Sequence, residues 1–219
     1  MNVKMKTLNL FSGIGGNHKL WDNVEVTAVE IVPIIAEIYQ DNFPEDKVII
    51  GDAHQYLLKH YKKFDFIWAS PPCPSHSKVR RTFSVGRGQN EAIYPDMKLY
   101  QEILFLQGYY KGLYCVENVV AWYDPLIKPQ LIGRHFFWSN FFIRDKEIES
   151  TKIGQVGGTQ EYWINRLGFD LSKYQLNGVR RDTLYKNCVD PELGAHILDC
   201  ARGNTVKPLT EFAEASVRE

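Results

Sequence analysis

The sequence predicts an α/β fold, a largely parallel sheet covered by helices on both faces. Three observations carry this reading. Strand-like and helix-like segments alternate over the first two-thirds of the 219-residue chain. The connections between them are short, and the glycine- and proline-rich stretches fall where strands end, which is where ligands bind in such sheets.

Thr7-Leu8-Asn9-Leu10-Phe11 reads as the first strand and runs into a glycine-rich turn at residues 12–16, with a helix expected after it. Residues 24–30 form a second strand, and residues 33–43 a helix with Pro33 in its first turn. Val48-Ile49-Ile50 is a third strand, residues 53–61 a helix and residues 64–69 a fourth strand. After a long polar loop, residues 96–110 are amphipathic: Met97, Tyr100, Ile103, Leu104 and Gln107 share one face at helical spacing. Residues 113–116 make a fifth strand. From about Arg144 the periodicity fades into a glycine-rich, polar stretch with scattered aromatics, and residues 191–201 close the chain as a helix.

Composition is that of an ordinary globular protein, 44% hydrophobic and 24% charged. Lysine plus arginine balances aspartate plus glutamate at 26 each, so a polyanionic partner would have to be held by local basic patches. Cys73, Cys115, Cys188 and Cys200 include no Cys-x-x-Cys pair, which argues against a metal site or a disulfide framework and for a reducing compartment. Residues 1–6 lead at once into a strand, leaving no room for a signal peptide, and no apolar run approaches the roughly 20 residues of a membrane span. The expected location is cytoplasmic.

Phe11-Ser12-Gly13-Ile14-Gly15-Gly16 follows a strand, where glycines let the backbone turn and approach a ligand. A dinucleotide fingerprint needs a third glycine where His18 stands, so that reading is weak. Glu30, followed by Ile31, ends the second strand, where a carboxylate can accept from ribose hydroxyls. Asp52, followed by Ala53, ends the third, where it can accept from an adenine amino group. Each alone reads as a turn glycine or a capping acid; three in register point to a nucleoside-containing cofactor.

Ser70-Pro71-Pro72-Cys73-Pro74-Ser75 ends the fourth strand, and its prolines present the next side chain stiffly. An inert buried thiol fits Cys115, inside an apolar strand, better than Cys73. A thiol needs a local field to ionise. The following loop offers His76, Lys78, Arg80, Arg81 and Arg87, with no acid before Glu91. The cluster suits a phosphate-gripping lid. Glu117-Asn118-Val119 lies past the fifth strand, on the same sheet edge as Cys73.

Phe11 to Gly16, Pro72-Cys73 and Glu117-Asn118-Val119, in this order and separation, resemble three motifs of the DNA cytosine-5 methyltransferases. Lys186-Asn187-Cys188-Val189-Asp190-Pro191 resembles the family's last motif; Asn204 to Val206 matches it too, but Asn187 is followed by a full amphipathic helix. The resemblance implies a Rossmann-like S-adenosylmethionine-dependent methyltransferase fold with a small irregular target-recognition region. Residues 1–143 would be the catalytic and cofactor-binding part, 144–185 the target-recognition region, and 186–219 the returning carboxyl-terminal helix. It implies Cys73, Glu117 and Arg134 as catalytic residues. It places S-adenosylmethionine against Phe11, Gly13, Gly15, Gly16, Glu30, Ile31, Asp52, Ala53, Pro71, Asn187 and Val189. Duplex DNA would be the partner, without a metal or a membrane, with a second copy or partner subunit completing the short groove.

The sequence departs from the family at Asn9, where aspartate is usual, and at Pro74, where glutamine is usual. The family's Gln-x-Arg-x-Arg motif falls on Gln130 to Arg134, so Ile132 replaces its first arginine, whose role is to hold the target base; Arg134 or His135 would substitute. Two other readings share these motifs: an RNA or tRNA cytosine methyltransferase, and a relative that binds without turnover.

Overall fold

A computed structural model describes residues 3–78, 93–147 and 159–203. Among them, seven strands form one sheet: β1 (Met5–Leu10), β2 (Val24–Glu30), β3 (Lys47–Ile50), β4 (Phe66–Ala69), β5 (Leu113–Val119), β6 (Gln130–Ile132) and β7 (His135–Ser139). Their order is β3-β2-β1-β4-β5-β7-β6. The first five are parallel, as the β-α alternation predicts, while β7 runs antiparallel to both β5 and β6.

The helices are α1 (Pro33–Asn42), α2 (Ala53–His60), α3 (Lys98–Tyr109), α4 (Gln160–Leu167), α5 (Arg181–Lys186) and α6 (Pro191–Gly203). Pro33 opens α1, where its missing N–H costs nothing, and Asp52 caps α2 by accepting the Gln55 N–H at 2.9 Å. The expected face of α3 is corrected. Leu99, Tyr100, Ile103 and Leu106 are buried, whereas Met97 and Leu104 are about half exposed. These positions lie at i, i+1, i+4 and i+7 from Leu99, with the buried Glu102 at i+3.

Alternation along the central strands divides the core. Leu8, Leu10, Ile67, Ala69, Tyr114 and Val116 meet α2 and α3 on one face. Phe66, Trp68, Cys115 and Phe137 meet Leu193, Ile197 and Leu198 of α6 on the other. β4 is buried at all four positions, the mark of a central parallel strand. Ile132 belongs to the second face, 4% exposed.

Residues 159–185, expected to be irregular, hold α4 and all but the last residue of α5. Thr159 caps α4 by accepting from the Tyr162 N–H, and Gly168 ends it at φ +68°. Leu167, Phe169, Leu171, Tyr174, Leu184 and Tyr185 form a third cluster with Ile14 and with Ile38 of α1. Eight and six residues are too few for periodicity to announce these helices.

Candidate active site

The glycine turn after β1 is built from the sheet outward. Phe11 adopts φ +54° and Gly13 φ +54°. The Ser12 N–H still bonds Val29, and the Gly13 N–H donates to Glu30 Oε2 at 3.1 Å. Residues 15–21 are then a chain of turns rather than the expected helix, since the N–H groups of Gly15, His18, Lys19 and Trp21 each bond the carbonyl three residues back. Gly16 is required by close approach: a Cβ there would lie 2.0 Å from Cys188 Sγ and 2.5 Å from the Val189 carbonyl. Val189 thus backs the turn, while Asn187 is exposed at the end of α5.

His18, in place of a third glycine, is buried against Phe43 and Tyr39, its Nδ1 3.1 Å from the Tyr39 hydroxyl. Burial lowers its pKa to about 4, so the ring is neutral at pH 7. Asn9 is fully buried and exchanges side-chain hydrogen bonds with Asn17 at 2.9 and 3.4 Å. A pair of amides satisfies both partners there without burying a charge.

A cleft of about 650 Å³, including its open mouth, lies at the carboxyl ends of β1 to β4. Phe11, Glu30, Ile31, Asp52, Ala53, Pro71 and Pro72 line it, joined by His54, Asp96 and Lys98, which sequence reasoning did not single out. Gly15 and Gly16 are buried and do not line it. Glu30 is 8% exposed and already holds two backbone N–H groups, those of Gly13 and Val32. Each carboxylate oxygen keeps a second lone pair for a ligand hydroxyl. His54 stands edge-on to Phe11 and contacts the buried Glu102 at 2.8 Å, a hydrogen bond that raises the imidazole pKa. The cleft therefore combines apolar walls for a flat base with acids for hydroxyl and amino groups. It fits a nucleoside-bearing sulfonium.

Cys73 is half-buried in the loop after β4. That loop is stitched to the segment after β5. Asn118 Nδ2 donates to the Pro71 carbonyl at 3.0 Å, Trp122 Nε1 to Ser75 at 3.0 Å, and the Trp122 N–H to His76. Because β4 and β5 pair in parallel, with Ala69 opposite Val116, the loop bearing Cys73 leaves the sheet from the strand next to the one that carries Glu117. Cys115, two residues before Glu117, is fully buried, and burial pushes its thiol pKa well up.

Glu117 is 6% exposed, and its Oε1 lies 2.6 Å from His135 Nδ1. Arg134 is exposed in the two-residue turn between β6 and β7, its carbonyl accepting from Val120. Ile132 is committed to the core, so its position presents no polar group to a base. His76, expected to grip phosphate, is 1% exposed with Nδ1 2.6 Å from the Tyr123 hydroxyl; desolvation lowers its pKa. It braces the loop from beneath, because its backbone is pinned between Cys73 and Trp122. Lys78 is exposed on the same loop; Arg80, Arg81 and Arg87 lie outside the described residues, as does Asn204.

Several basic residues of the segment after β7 are engaged with acids. Arg166 meets Asp190 at 2.8 Å, Lys173 meets Asp41 at 3.2 Å, and Arg180 meets Asp182 at 3.0 Å. Among the described residues no cluster of three metal-ligating side chains occurs, and no helix is long and apolar enough to cross a membrane.

Comparison with known proteins finds likenesses in sequence and in fold. The family described as C-5 cytosine-specific DNA methylase matches residues 5–103. A tRNA (cytosine(38)-C(5))-methyltransferase of Spodoptera frugiperda is 39% identical over 75 residues, 31% of this chain and 23% of that protein. The Type II methyltransferase M1.HphI of Haemophilus parahaemolyticus is 34% identical over 94 residues, 37% of this chain and 25% of that protein. The matched segments thus span about a quarter of these relatives' length. The solved structure of an Entamoeba histolytica methyltransferase has the same fold, with TM-score 0.53 and 11% identity, over 91% of this chain and 98% of that one. S-adenosylmethionine is the cofactor of this family.

Proposed function

We propose, starting from the match of residues 5–103 to the C-5 cytosine-specific DNA methylase family, that this chain acts as a member of that family and methylates C5 of cytosine in DNA. The observation that carries the reading is the Asn118–Pro71 hydrogen bond of 3.0 Å, which ties the loop bearing Cys73 to the strand end bearing Glu117. A nucleophile on such a loop and an acid on the neighbouring strand can address opposite sides of one base.

In this reading the target cytosine is flipped out of the helix, because a stacked base hides its C6. Cys73 Sγ, as thiolate, forms a bond to C6; the C5–C6 π pair moves onto C5, and N3 takes a proton from Glu117. S-adenosylmethionine, held in the cleft, would supply the electrophilic methyl group for C5, the S–CH3 bond breaking to leave a neutral thioether. Loss of the C5 proton to solvent and of Sγ from C6 restores the double bond, and N3 returns its proton to Glu117. Glu30 and Asp52 hold the cofactor's hydroxyl and amino groups, with Phe11, Gly13, Gly15, Gly16, Ile31, Ala53, Pro71, Asn187 and Val189 shaping its cradle. Arg134 serves the base, and Lys78 with Arg80, Arg81 and Arg87 serves phosphates.

The reading is tested with labelled cofactor and three substrates: duplex DNA, single-stranded DNA and tRNA. Label in duplex DNA is the expected result. Label in tRNA alone would establish the second reading, favoured by the likeness to a tRNA methyltransferase, and label in none would refute both.

Two substitutions probe the parts. Glu117→Gln keeps the shape but cannot give up a carboxyl proton, and single-turnover methylation is expected to slow about 10²- to 10³-fold. Glu30→Ala removes both the loop anchor and the acceptor. Calorimetric titration with S-adenosylmethionine should show affinity weakened about 10-fold or more; unchanged affinity would remove Glu30 from the site.

A further inference from the structure

We infer that His135 is the positioning residue for Glu117, holding one carboxyl oxygen so that the other faces the target base. This inference rests on the function proposed above and goes beyond it, because His135 lies outside the motifs that carry the resemblance.

The argument begins with register. β5 and β7 are antiparallel, with Glu117 opposite Phe137 and Val119 opposite His135. Side chains opposite one another share a face, so Glu117 and His135 are diagonal neighbours on one side of the sheet. Their side chains are 8% and 23% exposed, and Nδ1 lies 2.6 Å from Oε1. The contact is short and sheltered, unlike the solvent-facing pairs of α5.

Ile132 supplies the second observation. It stands opposite His135 in the β6–β7 pair and is packed among Phe137, Phe141 and Val189. The position where a guanidinium would be expected is therefore aliphatic, and the imidazole occupies the place beside the acid instead. Arg134 points from an exposed turn rather than a strand.

The chemistry follows from which oxygen is engaged. Nδ1–H donates to Oε1, which fixes the rotation of the carboxyl group. Oε2 then carries the proton that passes to N3 as Sγ bonds C6. The carboxylate left behind keeps the Nδ1–H···Oε1 bond, and N3 returns the proton to Oε2 when Sγ departs. His135 keeps its own proton throughout, so nothing is consumed. The groups around the pair are Cys115 on β5, Arg134 in the turn and the ring of Phe137, 6.3 Å from the imidazole.

The test compares His135→Leu, which has no donor, with His135→Asn, whose amide can donate from nearly the same place. His135→Leu is expected to lower kcat about 30-fold with KM for DNA changed less than about 3-fold, and His135→Asn to recover most of the loss. In a Glu117→Gln background, His135→Leu should cost little more, because both act through one carboxyl group. Equal loss in both backgrounds, or an unimpaired His135→Leu, would overturn the inference. An activity-independent readout separates it from the proposed function. In the 15N spectrum of the free protein, His135 Nδ1 should be protonated and should shift on Glu117→Gln. A bare Nδ1, or one indifferent to Glu117, would overturn the positioning role even in an active enzyme. An inactive wild type that shows the predicted Nδ1 signal would overturn only the proposed function.

Discussion

Cys73→Ser is expected to reduce methyl transfer about 10³-fold or more while leaving cofactor binding unchanged. Serine differs by one atom, but its hydroxyl ionises far less readily than a thiol and is a poorer nucleophile at neutral pH. The loop should keep its shape, because the Pro71 carbonyl, the Ser75 carbonyl and the His76 backbone anchor it through atoms that the substitution leaves in place. Cofactor contacts should persist for the same reason: the cleft is bounded by Pro71 and Pro72. Radiolabel transfer, together with calorimetric binding of S-adenosylmethionine, separates the two effects. With DNA containing 5-fluorocytosine, the wild type should be trapped as a covalent adduct and Cys73→Ser should not. Wild-type turnover by Cys73→Ser would end the thiol mechanism.

The largest expected effect on stability lies behind the glycine turn, at Gly194 in α6. A Cβ there would meet the Asn17 carbonyl oxygen at 2.0 Å and two further backbone atoms of Asn17 within 2.8 Å. A flexible side chain could move aside; backbone pinned on both sides cannot. Asn17 is bonded to Asn9 in the sheet, and Trp21 Nε1 donates to the Gly194 carbonyl at 3.0 Å. Gly194→Ala is therefore expected to cost about 3 kcal/mol or more by overpacking. For a chain of this size that lowers Tm by about 6–12 °C. Gly108 in α3 is the control, since a Cβ there meets nothing within 4 Å. Gly108→Ala should stabilise by about 0.5–1 kcal/mol through helix propensity. Thermal unfolding of the two variants side by side checks both signs.

The parallel half of the sheet was legible because its strands are short apolar runs bounded by turn residues, and because Pro33 and Asp52 announce their helices. The inertness of Cys115 was legible for the same reason, as it sits in mid-strand. The β6–β7 hairpin was not. Three and five residues give little periodicity, and Gln130 to Arg134 drew attention as a motif rather than as a strand and its turn. The buried face of α3 was misjudged because Met97 and Leu104 are apolar yet face solvent, which sequence alone does not distinguish. His76 shows the limit of reading charge from a loop. Its neighbours in sequence are basic, but Tyr123, 47 residues away, claims its ring. The pairing of His135 with Glu117 is likewise a matter of register, which appears only once β5 and β7 are paired.

The turn joining β6 to β7 consists of Gly133 and Arg134 alone. Along a strand, outward and inward positions alternate, so the number of residues in such a turn acts as a parity setting. With Ile132 and Phe137 both anchored in the core, this count delivers His135 to the side of the acid and Phe136 to the other. A loop that touches no ligand thereby decides, by being even rather than odd, which ring stands beside Glu117.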